Sequence, residues 1–328
     1  MNKRCWQALA LISMHAAAAA AGARATASPP DPYPGWRAAA AEVLIARGGA
    51  DSLAAGAALR FAAQLARTKG DAPSPHTAAE VAAQACDLEP ENPNLSWLRL
   101  QLCIGTPGCD VREAATTMRW VAAENAAAWM PTLAAAQKDR DIVEIDRILV
   151  DMAQGARFDL YVNRTVVLLF DALKRVAGTL PAKYLPSDVA RLDEATGITN
   201  AEIIPSFSPL QGACREAAET ERRGPCLKIA KLMQHSDTVS AQLAGFNIER
   251  HLAPPDSREA RAVVERRRAL EWRVSSAAQF DTPLIPWLKS ARARARIAEM
   301  RALPREEDVA LAILRQHRKP LEPPEEYP

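Results

Sequence analysis

The chain has 328 residues, of which 48% are hydrophobic, and 41 basic residues stand against 39 acidic ones. This length suffices for one or two domains with a sizeable core, and the balanced charge gives no support for nucleic acid as a partner, since phosphate binding needs concentrated lysine and arginine. Alanine dominates, only 14 residues are glycine, and alternating or β-branched runs are almost absent. We therefore predict an all-α protein.

The amino terminus has the layout of a cleavable secretory signal. Basic residues near the start precede the apolar run Cys5 to Gly22, and small residues follow it around Ala25. The run is too short and too interrupted to anchor in a membrane. We predict a signal peptide over 1–25, a proline-rich linker over 26–34, a periplasmic or secreted location and no membrane insertion. Cleavage would remove three of the 41 basic residues and leave 38 against 39 acidic ones.

Helical patterns fill the region 35–180, which we predict to be an N-terminal array. Its first helices span Trp36 to Arg47 and Asp51 to Lys69, separated by two glycines. The next spans His76 to Leu88, and a fourth begins near Asn94. Glycines and prolines in the intervening loops mark the helix ends.

The clearest helical hairpin covers residues 125–155. Asn125 and Asp141 are suited to cap its two helices, Pro131 is expected to kink the first, and Gly155 ends the second. Two short helices cannot bury their apolar stripes alone, so the hairpin needs neighbours on both sides. We predict stacked antiparallel helical hairpins.

Small residues recur at a fixed spacing around this hairpin. Ala78 and Ala85 lie seven residues apart, as do Ala115 and Ala122, and each pair leads into a tryptophan, Trp97 and Trp129 respectively. The two tryptophans are 32 residues apart. In these features the chain resembles the tetratricopeptide-like (TPR or Sel-like) helical-repeat superfamily, whose period is about 34 residues. The resemblance implies an α-solenoid that binds proteins along a concave surface.

The rest of the chain divides at a segment rich in helix breakers. A longer amphipathic helix is predicted from Phe158 to Gly178, followed by an irregular connection over 181–209. We predict a C-terminal helical array over 210–318 and an extended, exposed tail over 319–328.

Four cysteines bracket two predicted turns. Cys103 and Cys109 flank one, and Cys214 and Cys226 flank the other, so each pair is suited to form a disulfide in an exported protein. The Sel-like branch of the superfamily has a similar device. The alternative is that all are buried thiols, which is the interpretation we favour for Cys86.

The sequence offers no recognisable catalytic, cofactor or metal site. No two histidines after the predicted signal lie three to five residues apart, and neither a nucleophile elbow nor a glycine-rich phosphate loop occurs. His235 and Asp237 are close in sequence but lack a serine partner. Lytic transglycosylases need a catalytic Glu-Ser pair, which is absent from the sequence.

The carboxyl-terminal arginines form a further pattern. Between Asp256 and the end there are 15 basic and 12 acidic residues, with carboxylates at helical pairing distance, which predicts a solvated, salt-bridged face. Trp272 and Trp287 lie on apolar stripes and are predicted to be core residues.

Trp97, Trp120 and Trp129 are either core residues or candidate contacts for a partner. Our first hypothesis is an exported bacterial scaffold or adaptor that binds a protein or peptide, rather than an enzyme. The second is a cell-envelope enzyme of unrecognised type with a cleft near 181–209. A pocket with clustered Asp, Glu or His would favour the second, whereas a groove lined by Trp, Tyr and Arg would favour the first. The oligomeric state is left open.

Overall fold

The computed structural model describes residues 35–65, 77–181, 183–215, 221–280 and 286–327. The predicted signal peptide and linker lie outside these ranges, as does the side chain of Trp287. Within them the chain forms fifteen α-helices and two short 3-10 helices, and no strand occurs there beyond an isolated bridge between Asn125 and Arg157. The prediction of an all-α fold is confirmed.

The helices follow one another with short connections throughout the described ranges. They are α1 (Trp36–Arg47), α2 (Ala50–Leu65), α3 (Ala78–Leu88), α4 (Pro93–Ile104), α5 (Val111–Val121), α6 (Met130–Asp139), α7 (Ile142–Ala153), α8 (Val162–Val176), α9 (Asp188–Glu202), α10 (Ser208–Arg215), α11 (Arg223–Gln234), α12 (Val239–Leu252), α13 (Arg258–Ala278), α14 (Pro286–Ala302) and α15 (Glu306–Gln316). The 3-10 helices are Ala126–Trp129 and Ala177–Thr179.

Polar side chains define where many of these helices begin. Thr77 and Glu80 form a reciprocal capping box at the start of α3, and Asp141 accepts a hydrogen bond from the backbone N–H of Glu144 in the first turn of α7. Such caps pair backbone N–H groups that a helix leaves without an internal partner. Each capped helix therefore begins at a defined residue, and consecutive helices turn back on one another.

Consecutive helices pack in pairs, most extensively α1 with α2, α2 with α3 and α11 with α12. The repeat residues Ala78, Ala85, Ala115 and Ala122 are all buried. One continuous cluster of buried residues runs from Trp36 to Leu314. The proposed division into two arrays is therefore not accompanied by a gap in the core, and it stays a prediction.

Helix α8 lies at the centre of this core and contacts α1, α2, α4, α9 and α14. The sequence pattern is confirmed here, because the predicted apolar side of the helix is buried: Val162, Val166, Leu169, Phe170, Leu173 and Val176. Its position makes the chain fold back on its own amino-terminal helices rather than continue as a linear array.

Three details of the sequence-based prediction need correction. Pro131 lies in the first turn of α6, where no N–H is required, and does not kink a longer helix. The connection predicted over 181–209 contains α9, a 15-residue helix packed against α8. The tail, predicted to be extended and exposed, turns at 324–327 and is not free, because its main chain accepts hydrogen bonds from side chains of α13.

Both predicted disulfides are present. The sulfurs of Cys103 and Cys109 are 2.07 Å apart, and those of Cys214 and Cys226 are 2.09 Å apart. Cys86 is the buried free thiol that the sequence suggested, and burial raises its pKa to about 11. A thiol that stays protonated is a poor nucleophile, so this cysteine is a packing residue.

We expect loss of the Cys214–Cys226 bond to cost more stability than loss of the Cys103–Cys109 bond, because the sequence separations are 12 and 6 residues. Chain entropy gives about 3 and about 2 kcal/mol respectively. Urea unfolding of the two double serine variants measures both values. A double variant that unfolds at the parent's urea concentration would contradict the prediction.

Two glycines give a matched test of helix packing. A Cβ at Gly245 in α12 would lie 2.7 Å from the Ala230 carbonyl oxygen in α11, whereas a Cβ at Gly197 in α9 would meet nothing within 4 Å. We expect Gly245→Ala to lower the free energy of unfolding by about 1–3 kcal/mol through overpacking, and Gly197→Ala to raise it by about 0.5–1 kcal/mol. Thermal unfolding of both variants measures these changes. Equal shifts in melting temperature would show that α11 and α12 are not in close contact.

Candidate functional site

The three candidate tryptophans lie in different environments. Trp97 is 0% exposed and packs 6.5 Å from the Tyr161 ring, measured between ring centroids. Trp129 is half-buried, and Trp120 is 73% exposed. Trp97 is therefore a core residue, as the packing interpretation predicted, and is not available to a partner. Contact with a partner by Trp120 and Trp129 stays a prediction.

Two arginines lie over the ring of Trp129. The guanidinium carbon of Arg119 is 4.4 Å from the ring centroid, and that of Arg147 is 5.5 Å from it. Arg119 comes from α5, Trp129 from the 3-10 turn and Arg147 from α7. Asn125 positions the Trp129 indole against these arginines, because it caps the 3-10 turn and also donates to the Asp159 carbonyl oxygen at 2.9 Å.

The two arginines differ in their charge environment. Arg147 forms ion pairs with Glu144 at 2.5 Å and with Asp151 at 2.6 Å. Arg119 donates instead to the hydroxyls of Thr132 at 3.1 Å and Thr116 at 3.0 Å. Among the described residues, no carboxylate lies within salt-bridge distance of Arg119. Its cation is oriented but not neutralised.

Electrostatics agree with this geometry. Burial lowers the pKa of Arg119 and the positive charge of Arg147 lowers it further, whereas the negative charge of Asp151 raises it in part. A guanidinium remains protonated under such conditions, so the positive charge is present and destabilised. A carboxylate placed beside Arg119 would relieve this destabilisation and form a charge-assisted hydrogen bond.

Apolar side chains border this cation. Thr116 lies three residues before Arg119 and four before Trp120, so both side chains border Thr116 on the surface of α5. On α7, Val143 is 80% exposed and Val150 is 47% exposed, on either side of Arg147. We define the Arg119 surface as Thr116, Arg119, Trp120, Trp129 and Arg147.

Sequence reasoning identified the tryptophans of this surface but missed its arginines. The Thr116, Arg119 and Trp120 spacing was a usable signal, because it places a cation and a large apolar ring on one helix face. The contact of Arg119 with Trp129 and Arg147 was not readable, since it depends on how three elements pack.

Two cavities bear on the enzyme hypothesis. One of about 500 Å³ lies close to the predicted cleft region and is lined by Gln211, Arg215, Arg250 and His251, with no carboxylate among its described lining residues. The other, of about 400 Å³, has three carboxylates, Glu265, Glu307 and Glu322. Each of these is ion-paired with an arginine. Among the described lining residues, neither cavity holds a carboxylate without an ion-pair partner.

Asp237, in the turn between α11 and α12, is a strongly perturbed carboxyl group and is 5% exposed. Burial raises its pKa to about 7, although it accepts a hydrogen bond from the backbone N–H of Leu160 at 2.8 Å, and the nearby charges of Asp159 and Glu306 act in the same direction as burial. Asp237 lines neither cavity. Its role in the structure is to hold the segment that precedes α8.

His235 and Asp237 lie in different environments, since His235 lines the cavity of about 400 Å³. His235 is exposed, whereas Asp237 points to Leu160 and to the Ser236 hydroxyl, which donates to it at 3.3 Å. Within the described ranges, no group of three or more His, Cys, Asp or Glu side chains is placed to hold a metal ion.

Comparison with known proteins gives no match to a family, to a curated protein or to a solved structure. The resemblance to helical-repeat proteins therefore rests on the residue pattern and on the packing of helices in pairs. None of the helices in the described ranges combines the length and apolar character that crossing a bilayer requires.

We predict that Asp237→Asn removes a component of the pH dependence of stability. In the natural chain the folded pKa of about 7 exceeds the ordinary value of 3.8, so stability contributed by the protonated form is present at pH 4 and is lost as pH rises through 7. At about 1.4 kcal/mol per pKa unit, the free energy of unfolding of the natural chain should fall, relative to the variant, by at most about 4 kcal/mol between pH 4 and 8.

Urea unfolding at several pH values measures this difference. Asp139→Asn, at an exposed aspartate, is the matched control and should leave the pH profile of the parent unchanged. Parallel profiles of the parent and Asp237→Asn would contradict the raised pKa.

Proposed function

We propose that the protein is an exported helical-repeat scaffold that binds a partner protein or peptide through the Arg119 surface. The observation that carries this proposal is an oriented guanidinium without an ion-pair partner among the described residues, next to an indole that is 73% exposed. Arginine and tryptophan are the residues most enriched among energetically dominant interface contacts.

The chemistry of the surface indicates what the partner presents. Arg119 favours a carboxylate, and Trp120 together with Val143 and Val150 favours an apolar side chain beside it. Glu144 and Asp151 flank Arg147 and would repel a second carboxylate there. We therefore expect a partner segment with one acidic residue, or a free C-terminal carboxylate, next to a large apolar residue.

The helical-repeat assignment supports a binding role. Buried alanines occupy the positions where the tetratricopeptide-like superfamily has small packing residues, and consecutive helices pack in pairs. Proteins of this superfamily bind partners on surfaces formed by successive helices. The analogy concerns fold and does not by itself assign a function.

The two disulfides fit an oxidising compartment, where such bonds persist. Together with the signal-like amino terminus they support a periplasmic or secreted protein. An enzyme remains the alternative, and the ion pairing of the cavity carboxylates makes it the weaker proposal.

We expect Arg119→Gln and Trp120→Ala each to weaken partner binding at least about tenfold without unfolding the protein, because both changes lie at the surface. The test is a pull-down from envelope extract with the natural chain and each variant as bait, followed by titration of the recovered partner. Arg112→Gln, an exposed arginine on the same helix, is the matched control.

A partner retained equally by Arg119→Gln and Arg112→Gln would remove the Arg119 surface from the proposal. Recovery of no stoichiometric partner, together with a hydrolytic activity of the purified chain, would favour the enzyme alternative.

A further inference from the structure

The C-terminal segment 320–327 runs along α13 with its carbonyl groups bonded to that helix. The Trp272 indole N–H donates to the Pro320 oxygen at 3.2 Å, and Arg273 Nε donates to the Leu321 oxygen at 3.0 Å. Arg268 donates to three carbonyl oxygens further along, at 2.7–2.9 Å: those of Pro324, Glu325 and Tyr327. The tail is thus held mainly through its backbone.

The sequence of the tail explains this mode of contact. Prolines at positions 320, 323 and 324 lack an N–H and fix φ, which favours an extended polyproline-like backbone. The tail turns at 324–327, where the Tyr327 N–H donates to the Pro324 oxygen at 3.0 Å, and its prolines leave few N–H groups to pair with the other carbonyl groups, which take outside donors. Guanidinium and indole groups are donors without acceptor atoms and match this need.

Two tail side chains add selectivity. Glu322 is ion-paired with Arg273 at 2.5 Å. The Tyr327 ring packs edge-on against Trp272, with centroids 5.0 Å apart, and its hydroxyl is 3.3 Å from Ser275 Oγ. The contact surface therefore distinguishes an acidic residue followed, after the prolines, by an aromatic one.

The donors lie on one face of α13. Arg268, Trp272 and Ser275 are spaced by four and three residues, which places them in a single stripe, and Arg273 borders it. We call the surface formed by these four side chains, which the tail covers, the tail groove. It is separate in sequence from the Arg119 surface, which belongs to α5, the 3-10 turn and α7.

We propose that the tail groove is a recognition site for an extended, acidic, proline-rich peptide of a partner protein, and that the chain's own tail occupies it as a competing intramolecular ligand. The proposal goes beyond the function assigned to the Arg119 surface and does not depend on it. Because the groove bonds mostly to main-chain carbonyls, a partner segment with the same conformation can form the same hydrogen bonds.

The tail has the properties of a displaceable occupant. Most of its residues are exposed, and only Leu321, Pro323 and Tyr327 are half-buried. It leaves α15 at Arg318, whose left-handed φ of 52° and the hydrogen bond from the Lys319 N–H to the Leu314 oxygen close the end of the helix. Its attachments are exposed or part-buried hydrogen bonds and the Glu322 ion pair, which are individually weak, together with the ring contact of Tyr327 and the packing of Leu321 against the core.

A partner is favoured over a second copy of this chain. Only a few residues separate the end of α15 from Pro320, so the tail is present at an effective concentration on the order of millimolar. An identical tail from another copy gains no contact that the tethered tail lacks. A partner that adds contacts outside the groove can displace it.

The test uses a fluorescein-labelled peptide of sequence KPLEPPEEYP, added to the full chain and to a variant that ends at Arg318. Fluorescence polarisation should show saturable binding to the shortened variant and at least about tenfold weaker binding to the full chain, because the tethered tail competes. A peptide with all four prolines replaced by alanine is the matched control and should bind more weakly, because it is less preorganised.

Substitutions in the shortened variant assign the binding to the groove. Arg268→Gln removes the donor to three carbonyls and should weaken peptide binding at least about tenfold, and Trp272→Phe, which keeps a ring but lacks the N–H, should weaken it about threefold to tenfold. Arg119→Gln should leave peptide binding unchanged, so failure of the Arg119 surface and failure of the tail groove are distinguishable.

A full-length variant provides a second route if the shortened chain does not fold. Leu321→Ala with Tyr327→Ala loosens the tail while leaving the groove intact, and it should bind the labelled peptide more tightly than the natural chain does. The proposal is overturned if a folded shortened chain does not bind the peptide, or if the full chain binds it equally well. Tail-dependent dimerisation of the full chain would assign the groove to a second copy and would also overturn it.

Discussion

Burial of α8 is the constraint on which the rest of the structure depends. This helix contacts elements from both ends of the chain, namely α1, α2, α4, α9 and α14, and its apolar side is buried. Two polar contacts fix its orientation: Thr165 Oγ1 donates to Asn94 Oδ1 at 2.9 Å, and Asn163 Nδ2 donates to the Leu303 carbonyl oxygen at 3.1 Å. Apolar burial provides most of the stabilisation, whereas buried hydrogen bonds of this kind select one arrangement among several of similar apolar area. The helix pairs therefore form one body.

The non-helical residues just before α8 connect this core to the Arg119 surface. Residues before α8 are not helical, because their backbone groups are bonded elsewhere: Asp237 takes the N–H of Leu160, and Asn125 bonds both backbone groups of Asp159. The same Asn125 begins the 3-10 turn that carries Trp129. One buried amide thus sets both the start of the central helix and the position of the indole on which Arg119 lies. A candidate binding surface built on such a junction is preorganised by the core.

Local chemistry made much of the fold predictable. The apolar period of α8, the capping residues Thr77 and Asp141, and the cysteine pairs around two turns are all properties of short stretches of sequence, and the structure agrees with them.

The incorrect predictions share a different cause. Helix α9 forms despite nearby breakers because it packs on α8, and the tail is held by side chains of α13 that are about fifty residues away in sequence. Contacts between residues that are far apart in the sequence produce no periodic pattern in it. The sequence therefore predicted an irregular connection and an exposed tail. For the same reason it identified Trp120 and Trp129 but not the arginines beside them.

The arginines of this nearly neutral chain separate into two groups, and the difference is informative. Many, such as Arg147, Arg266 and Arg267, are matched by a carboxylate, as expected of a solvated, salt-bridged face that contributes little to stability. Arg119 instead directs its donors to threonine hydroxyls. Arg268 is ion-paired with Glu265 at 3.4 Å but directs its shorter hydrogen bonds to the tail's carbonyl groups, and both arginines lie beside an aromatic ring. A guanidinium held against a ring keeps its planar group in a fixed orientation, and neutral acceptors compensate its charge only in part. Both properties favour recognition of an incoming anion or backbone. Within the described residues, the arginines whose charge is only partly compensated, rather than the most numerous ones, therefore mark the two surfaces that we propose as binding sites.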